Sequence, residues 1–229
     1  MRTNPFEAAV FYFIFLFSTT LHEAAHAWVA LRGGDPTAYH GGQVSINPLP
    51  HIRREPFGMV ILPLLSVFLS GWPMGFASAP YDPLWARRYP KRAAVMSLAG
   101  PVANLGLVLV ATLLLRLGLG AGMFAVGTPS IQHLVSAATP GWEGVAFVLS
   151  VFFTMNLILF VLNIMPVPPL DGSGALPLFV GRDYTARLQE IFAQPMVAMV
   201  GMLLVWRAFG SVFRPVFRFA VDILFRGVL

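Results

Sequence analysis

His22-Glu23-Ala24-Ala25-His26 lies inside an apolar run from Phe6 to Leu31. The run reads as one helix of about 25 residues, long enough to span a bilayer at the helical rise per residue. Positions four apart share a helix face, so His22 and His26 can bind one metal ion. Glu23 is then beside the metal, where a carboxylate can take a proton from an activated water. The same pair could also be two structural histidines on a buried helix face. Ionisable groups deep in an apolar helix are costly and usually functional, which favours the metal.

The composition extends the membrane reading to the whole chain. Of 229 residues, 57% are hydrophobic and 11% are charged, and the mean hydropathy is +0.73. This excludes an ordinary soluble domain. There is no cysteine, so a zinc site must use His, Asp or Glu. The net charge of +5 suits anionic lipid headgroups. No basic stripe points to nucleic acid.

The first helix stops at Arg32-Gly33-Gly34-Asp35, a glycine termination signal. His26 is about 9 Å from that end, inside the membrane but near one face. Residues 36–56 are polar and carry His40 and His51, both read as loop residues. Within them Gln43-Val44-Ser45-Ile46-Asn47 alternates like a short strand near the active site. Residues 57–79 are uncharged but broken by Pro63, Gly71, Pro73 and Gly75. Further helices are predicted at 93–117, 143–165, 188–206 and 209–225. The expected fold is therefore an all-α polytopic membrane protein with five to six apolar segments and a small β element. It is read as one membrane domain, 1–229, with a core at 6–175 and C-terminal helices at 188–227.

A catalytic zinc takes three protein ligands and keeps one open position. The candidates for the third ligand are Asp35, Glu55, Asp82, Asp171 and the other histidines. Asp171 is best placed. It follows a Pro-rich turn at the end of an apolar helix, beside Gly172, which permits close backbone approach.

Three motifs carry a resemblance. They are His22-Glu23-x-x-His26, Ala99-Gly100-Pro101-x-x-Asn104, and Asn163-x-x-Pro166-x-Pro168-Pro169-Leu170-Asp171-Gly172. Together they resemble the site-2 protease family of intramembrane zinc metalloproteases, over roughly residues 8–175. Residues 41–52 are similar to the compact prokaryotic type without PDZ or CBS domains. The resemblance implies one zinc held by His22, His26 and Asp171, with Glu23 as the catalytic glutamate. It implies a transmembrane protein or peptide as substrate.

That ligand set constrains the topology. If 57–79 spanned the bilayer, Asp171 would reach the face opposite His26. The segment is therefore expected to be re-entrant or a helical hairpin. Loops 32–56, 80–92 and 173–187 then share one side and hold nine Arg and Lys residues, whereas loop 118–142 has none. By the positive-inside rule the shared side, and the active site near it, is cytoplasmic.

Asn104 and Asn163 are amides in or near helix ends. They are candidates for substrate binding or oxyanion stabilisation, and equally for interhelical hydrogen bonds. Two other functions share part of this pattern. A metal transporter also places His and Asp in membrane helices but does not need Glu23. A catalytically inactive scaffold that binds membrane helices needs neither zinc nor Glu23.

Overall fold

The computed structural model describes residues 4–192 and 194–227. Helix α1 spans Pro5–Arg32. Asn4 caps it by accepting the Glu7 amide at 2.8 Å, and Pro5 occupies the first turn, where a missing N–H does no harm. Short helices α2 (Thr37–His40) and α3 (Pro48–Arg54) follow. A π-turn, Phe57–Ile61, leads into α4 (Leu62–Ser70). Helix α5 is Pro83–Arg88, and α6 is Pro90–Gly120. Strands β1 (Phe124–Val126) and β2 (Val135–Ala137) pair antiparallel, with Phe124 opposite Ala137. Helix α7 is Glu143–Asn163 and α8 is Asp171–Ala175. Helices α9 (Arg182–Phe192) and α10 (Pro195–Phe225) complete the chain.

Among the described residues, α1, α6, α7 and α10 are long and apolar enough to cross a membrane, and Phe57–Ser70 is a shorter apolar segment. The protein is a multi-pass membrane protein. Helix α6 is central and packs against both α1 and α7. Phe11, Phe15, Phe147, Val151 and Met155 fill one side of the α1–α7 contact. Leu115, Phe153, Leu157, Phe213 and Leu224 join α6, α7 and α10. Arg116 of α6 donates to the carbonyls of Ile223 and Arg226, each at 3.0 Å. It thus caps the last turn of α10 with the positive charge that the open carbonyls favour.

Residues 57–79 fold back on themselves. Helix α4 ends at Gly71, whose φ of 73° is left-handed and natural only for glycine. The chain then returns in extended form beside its own start. The Phe76 amide donates to the Gly58 carbonyl at 3.1 Å, and the Met74 amide donates to Ser66 Oγ at 2.7 Å. A side chain at Gly58 or Gly75 would collide with the facing backbone. The segment is therefore a hairpin whose ends lie together.

Two expectations need correction. Residues 43–47 form no ladder, and the sheet lies at 124–137 instead. Polar groups of 43–47 bond to other segments or to the start of the next helix instead. Gln43 Nε2 donates to the Ser78 carbonyl, Ser45 O accepts from His51, and Asn47 caps α3. The segments at 188–206 and 209–225 are not two membrane helices. Residues 188–192 belong to α9, and α10 runs unbroken through Arg207 to Phe225. Arg207, Arg214 and Arg218 stay exposed on one face at helical spacing, so they interrupt the hydropathy without interrupting the helix.

Candidate metal centre

His22 and His26 sit one turn apart on the buried face of α1, 5% and 6% exposed. Their Nε2 atoms are 3.0 Å from each other. Asp171, the first residue of α8, places Oδ2 3.0 Å from His22 Nε2 and 3.3 Å from His26 Nε2. A tetrahedral zinc with bonds near 2.0–2.1 Å keeps its ligand atoms about 3.3 Å apart. The three donors therefore already stand at the edges of such a site, and their chemistry, two imidazoles and a carboxylate, suits zinc.

Neighbours orient each of the three side chains. His22 Nδ1 donates to Asn104 Oδ1 at 2.5 Å, and His26 Nδ1 donates to the Met96 carbonyl at 2.7 Å. With both Nδ1 atoms occupied, the Nε2 lone pairs face the common centre. Asp171 arrives because the chain turns sharply after α7. A Cβ on Gly172 would overlap the Ile164 and Met165 carbonyls, so only glycine lets this loop close. Gly100 of α6 faces the centre itself, and a Cβ there would fall against the Nε2 atoms of both histidines.

Glu23 is 6% exposed, adjacent to His22, and has no side-chain hydrogen bond among the described residues. Asn104 is fully buried. Its Oδ1 binds His22, and its Nδ2 donates to Asn156 Oδ1 at 2.9 Å and to the Ser18 carbonyl at 3.5 Å. All the hydrogen bonds of this amide are thus made within the protein, one of them to His22. Asn163 Nδ2 donates to the Leu159 carbonyl of its own helix at 3.0 Å.

Asp35, Asp82, Glu55, His51 and His40 lie outside the cluster. Asp35 accepts from Thr37 Oγ1, the Thr37 amide and the Asp82 amide. Burial opposes its charge, but these donors outweigh it and hold the Asp35 carboxyl below the usual carboxylate range. Asp82 caps α5 through the Leu84 amide, and Glu55 accepts from Ser78 Oγ at 2.6 Å. His51 donates to Ser45 O, and His40 is exposed beside Tyr39. Sequence reasoning missed Met96, whose contribution is a backbone carbonyl. It also missed Asn156, although an amide inside an apolar helix is itself a signal.

Residues 10–206 match the profile of peptidase family M50. The chain belongs to peptidase family M50, the site-2 protease family. As a member it is a zinc metalloprotease. The candidate zinc metalloprotease YwhC of Bacillus subtilis is 29% identical over 216 residues, covering 86% of this M50 chain and 90% of that protein. The candidate zinc metalloprotease Rip2 of Mycolicibacterium smegmatis is 34% identical over 161 residues, covering 70% of this chain and 53% of Rip2. Rip2 of Mycobacterium tuberculosis is 33% identical over 162 residues with the same coverages of 70% and 53%. The chain thus spans about half the length of the Rip2 proteins. No solved structure matches it significantly.

Proposed function

We propose that this chain is an intramembrane zinc endopeptidase that hydrolyses peptide bonds within or near transmembrane segments of its substrates. The observation that carries the reading is the triangle of His22 Nε2, His26 Nε2 and Asp171 Oδ2, with both histidines and Glu23 on a helix long enough to cross a membrane. His22, His26 and Asp171 hold one zinc. Zinc bound there supplies a Lewis acid for the scissile carbonyl and brings the acidity of water near neutrality. Glu23 accepts a proton from the attacking water and returns it to the leaving nitrogen. Asn104 and the Met96 carbonyl hold the two imidazoles in the orientation that zinc requires.

A substrate helix hides its peptide bonds in its own hydrogen bonds and must unwind before cleavage. An open groove of about 570 Å³ runs along α1 and α6, lined by Leu21, Ala25, Trp28, Ile46, Ala103 and Leu107. It flanks the His22-Glu23 turn, and its apolar wall suits an extended transmembrane segment. The ion content supplies the first test. Detergent-purified wild-type protein should carry about one zinc per chain, and Asp171→Ala about tenfold less or lower, since a lost ligand leaves only two. Mass spectrometry of a reconstituted single-span substrate should place the cut inside its hydrophobic segment. Full zinc in Asp171→Ala, or cleavage confined to soluble peptides, overturns the proposal.

The orientation follows from the same site. Trp85 Nε1 and Arg92 Nη1 both donate to the Gly33 carbonyl at 3.1 Å, tying segment 80–92 to the end of α1 nearest His26. We place that end at the cytoplasmic face, because the basic loops gather there. In this cysteine-free chain, Leu84→Cys should react with an impermeant maleimide only from the inside and Thr128→Cys only from the outside. The reverse pattern sinks the assignment.

A further inference from the structure

The geometry points to Asn156 of α7 as a positioning residue for the metal centre: through Asn104 it fixes which nitrogen of His22 faces the metal. The inference rests on the zinc reading above. It concerns a residue in none of the three motifs, on a helix that supplies no ligand itself.

The direction of each bond follows from groups that can play only one part. The Phe152 carbonyl can only accept, so the Asn156 group facing it at 2.8 Å is the amide nitrogen, a donor. Asn156 therefore turns its Oδ1 towards Asn104. An oxygen there can only accept, so Asn104 presents its Nδ2, at 2.9 Å. The Ser18 carbonyl, 3.5 Å from the same nitrogen, demands a donor too. Asn104 is left with Oδ1 towards His22, so His22 Nδ1 carries the proton and Nε2 keeps its lone pair for the metal. The chain of bonds thus carries the polarity of the Phe152 carbonyl to His22, 130 positions away in sequence order. Asn104 and Asn156 are both fully buried, so no bulk water competes for these bonds and each link is strong.

Remove Asn156 and the Asn104 amide loses the closer of its two orienting partners, keeping only the long 3.5 Å contact to the Ser18 carbonyl. It can then rotate and offer a donor to His22 Nδ1, which stabilises the tautomer whose Nε2 holds the proton. That tautomer cannot bind metal through Nε2 without first giving the proton up.

The test compares Asn156→Leu with Asn156→Asp, which retains an acceptor towards Asn104. Metal affinity is measured by chelator competition with Zn²⁺ in detergent. The d–d absorption is recorded at saturating Co²⁺, and thermal unfolding is followed for each variant. Outer partners of metal-bound histidines typically change affinity by about 10- to 100-fold. Asn156→Leu should weaken zinc by that factor and alter the cobalt band, while Asn156→Asp stays within a few-fold of wild type. A variant that was merely less stable would unfold earlier but keep the wild-type cobalt spectrum once saturated, and that result overturns the inference. So does wild-type affinity in Asn156→Leu. Absence of zinc from the wild type itself would instead overturn the underlying metal reading.

Discussion

Gly100→Ala should empty the metal site while leaving the fold in place. Alanine favours a helix over glycine by about 1 kcal/mol, so the substitution strengthens α6 locally. The damage comes from position. A Cβ at residue 100 falls against the Nε2 atoms of both His22 and His26, on the side where those nitrogens face their common centre. Helix α6 cannot easily retreat to make room. Met96 and Asn104 lie one turn to either side of Gly100 on the same face, and each holds one of the two histidines by a hydrogen bond of 2.5–2.7 Å. A shift that relieves the methyl group breaks those bonds; staying put pushes the imidazoles apart. Both outcomes remove the ligand geometry. Zinc per chain should fall by tenfold or more, on the order of what loss of an outer partner already does. Elemental analysis reads it, with thermal unfolding close to wild type. Near-stoichiometric zinc in Gly100→Ala would show that the space beside the histidines is not needed for the ion.

That glycine marks the boundary of what the sequence reveals here. The meeting of His22, His26 and Asp171 was legible, because the two histidines follow helix periodicity and Asp171 sits at a turn built from proline and glycine. The hairpin at 57–79 was legible too, although no local signal distinguishes it from a broken span. It was forced by the need for three ligands to meet on one face. The position of Gly100 was not legible, since a glycine in a membrane helix normally means close packing, and only the tertiary contact shows that the packed neighbours are His22 and His26. Asn104 was recognised as special, but its direction was not. An amide can serve substrate or helix equally, and what decides is the facing residue on another helix. The strand expected at 43–47 failed for a related reason. Alternation requires a partner strand to become a ladder, and these residues instead bond to Ser78, His51 and the start of α3. Arg207 misled in the opposite sense, because hydropathy falls at an arginine whether or not the helix ends there.

Glu23→Gln should abolish cleavage and keep the zinc. Glutamine has nearly the shape of glutamate and fits the same buried position, but it cannot accept the proton of the attacking water. Positioned general bases contribute about 10²- to 10⁴-fold to such reactions, so turnover of a reconstituted transmembrane substrate should drop by about that factor. The ligand triangle does not include Glu23, so zinc content should remain near one per chain. The pair of readouts separates the functions that share this sequence pattern. A transporter would keep moving metal without Glu23, because binding and release need ligands and not a base. A scaffold would lose nothing measurable. If zinc falls together with activity, Glu23 is a ligand, and the division of roles between it and Asp171 must be reversed. If cleavage persists within tenfold of wild type, the proton passes through another group. Among the described residues no other acid or histidine shares the centre with His22, His26 and Asp171, so the substitute would have to come from outside this cluster.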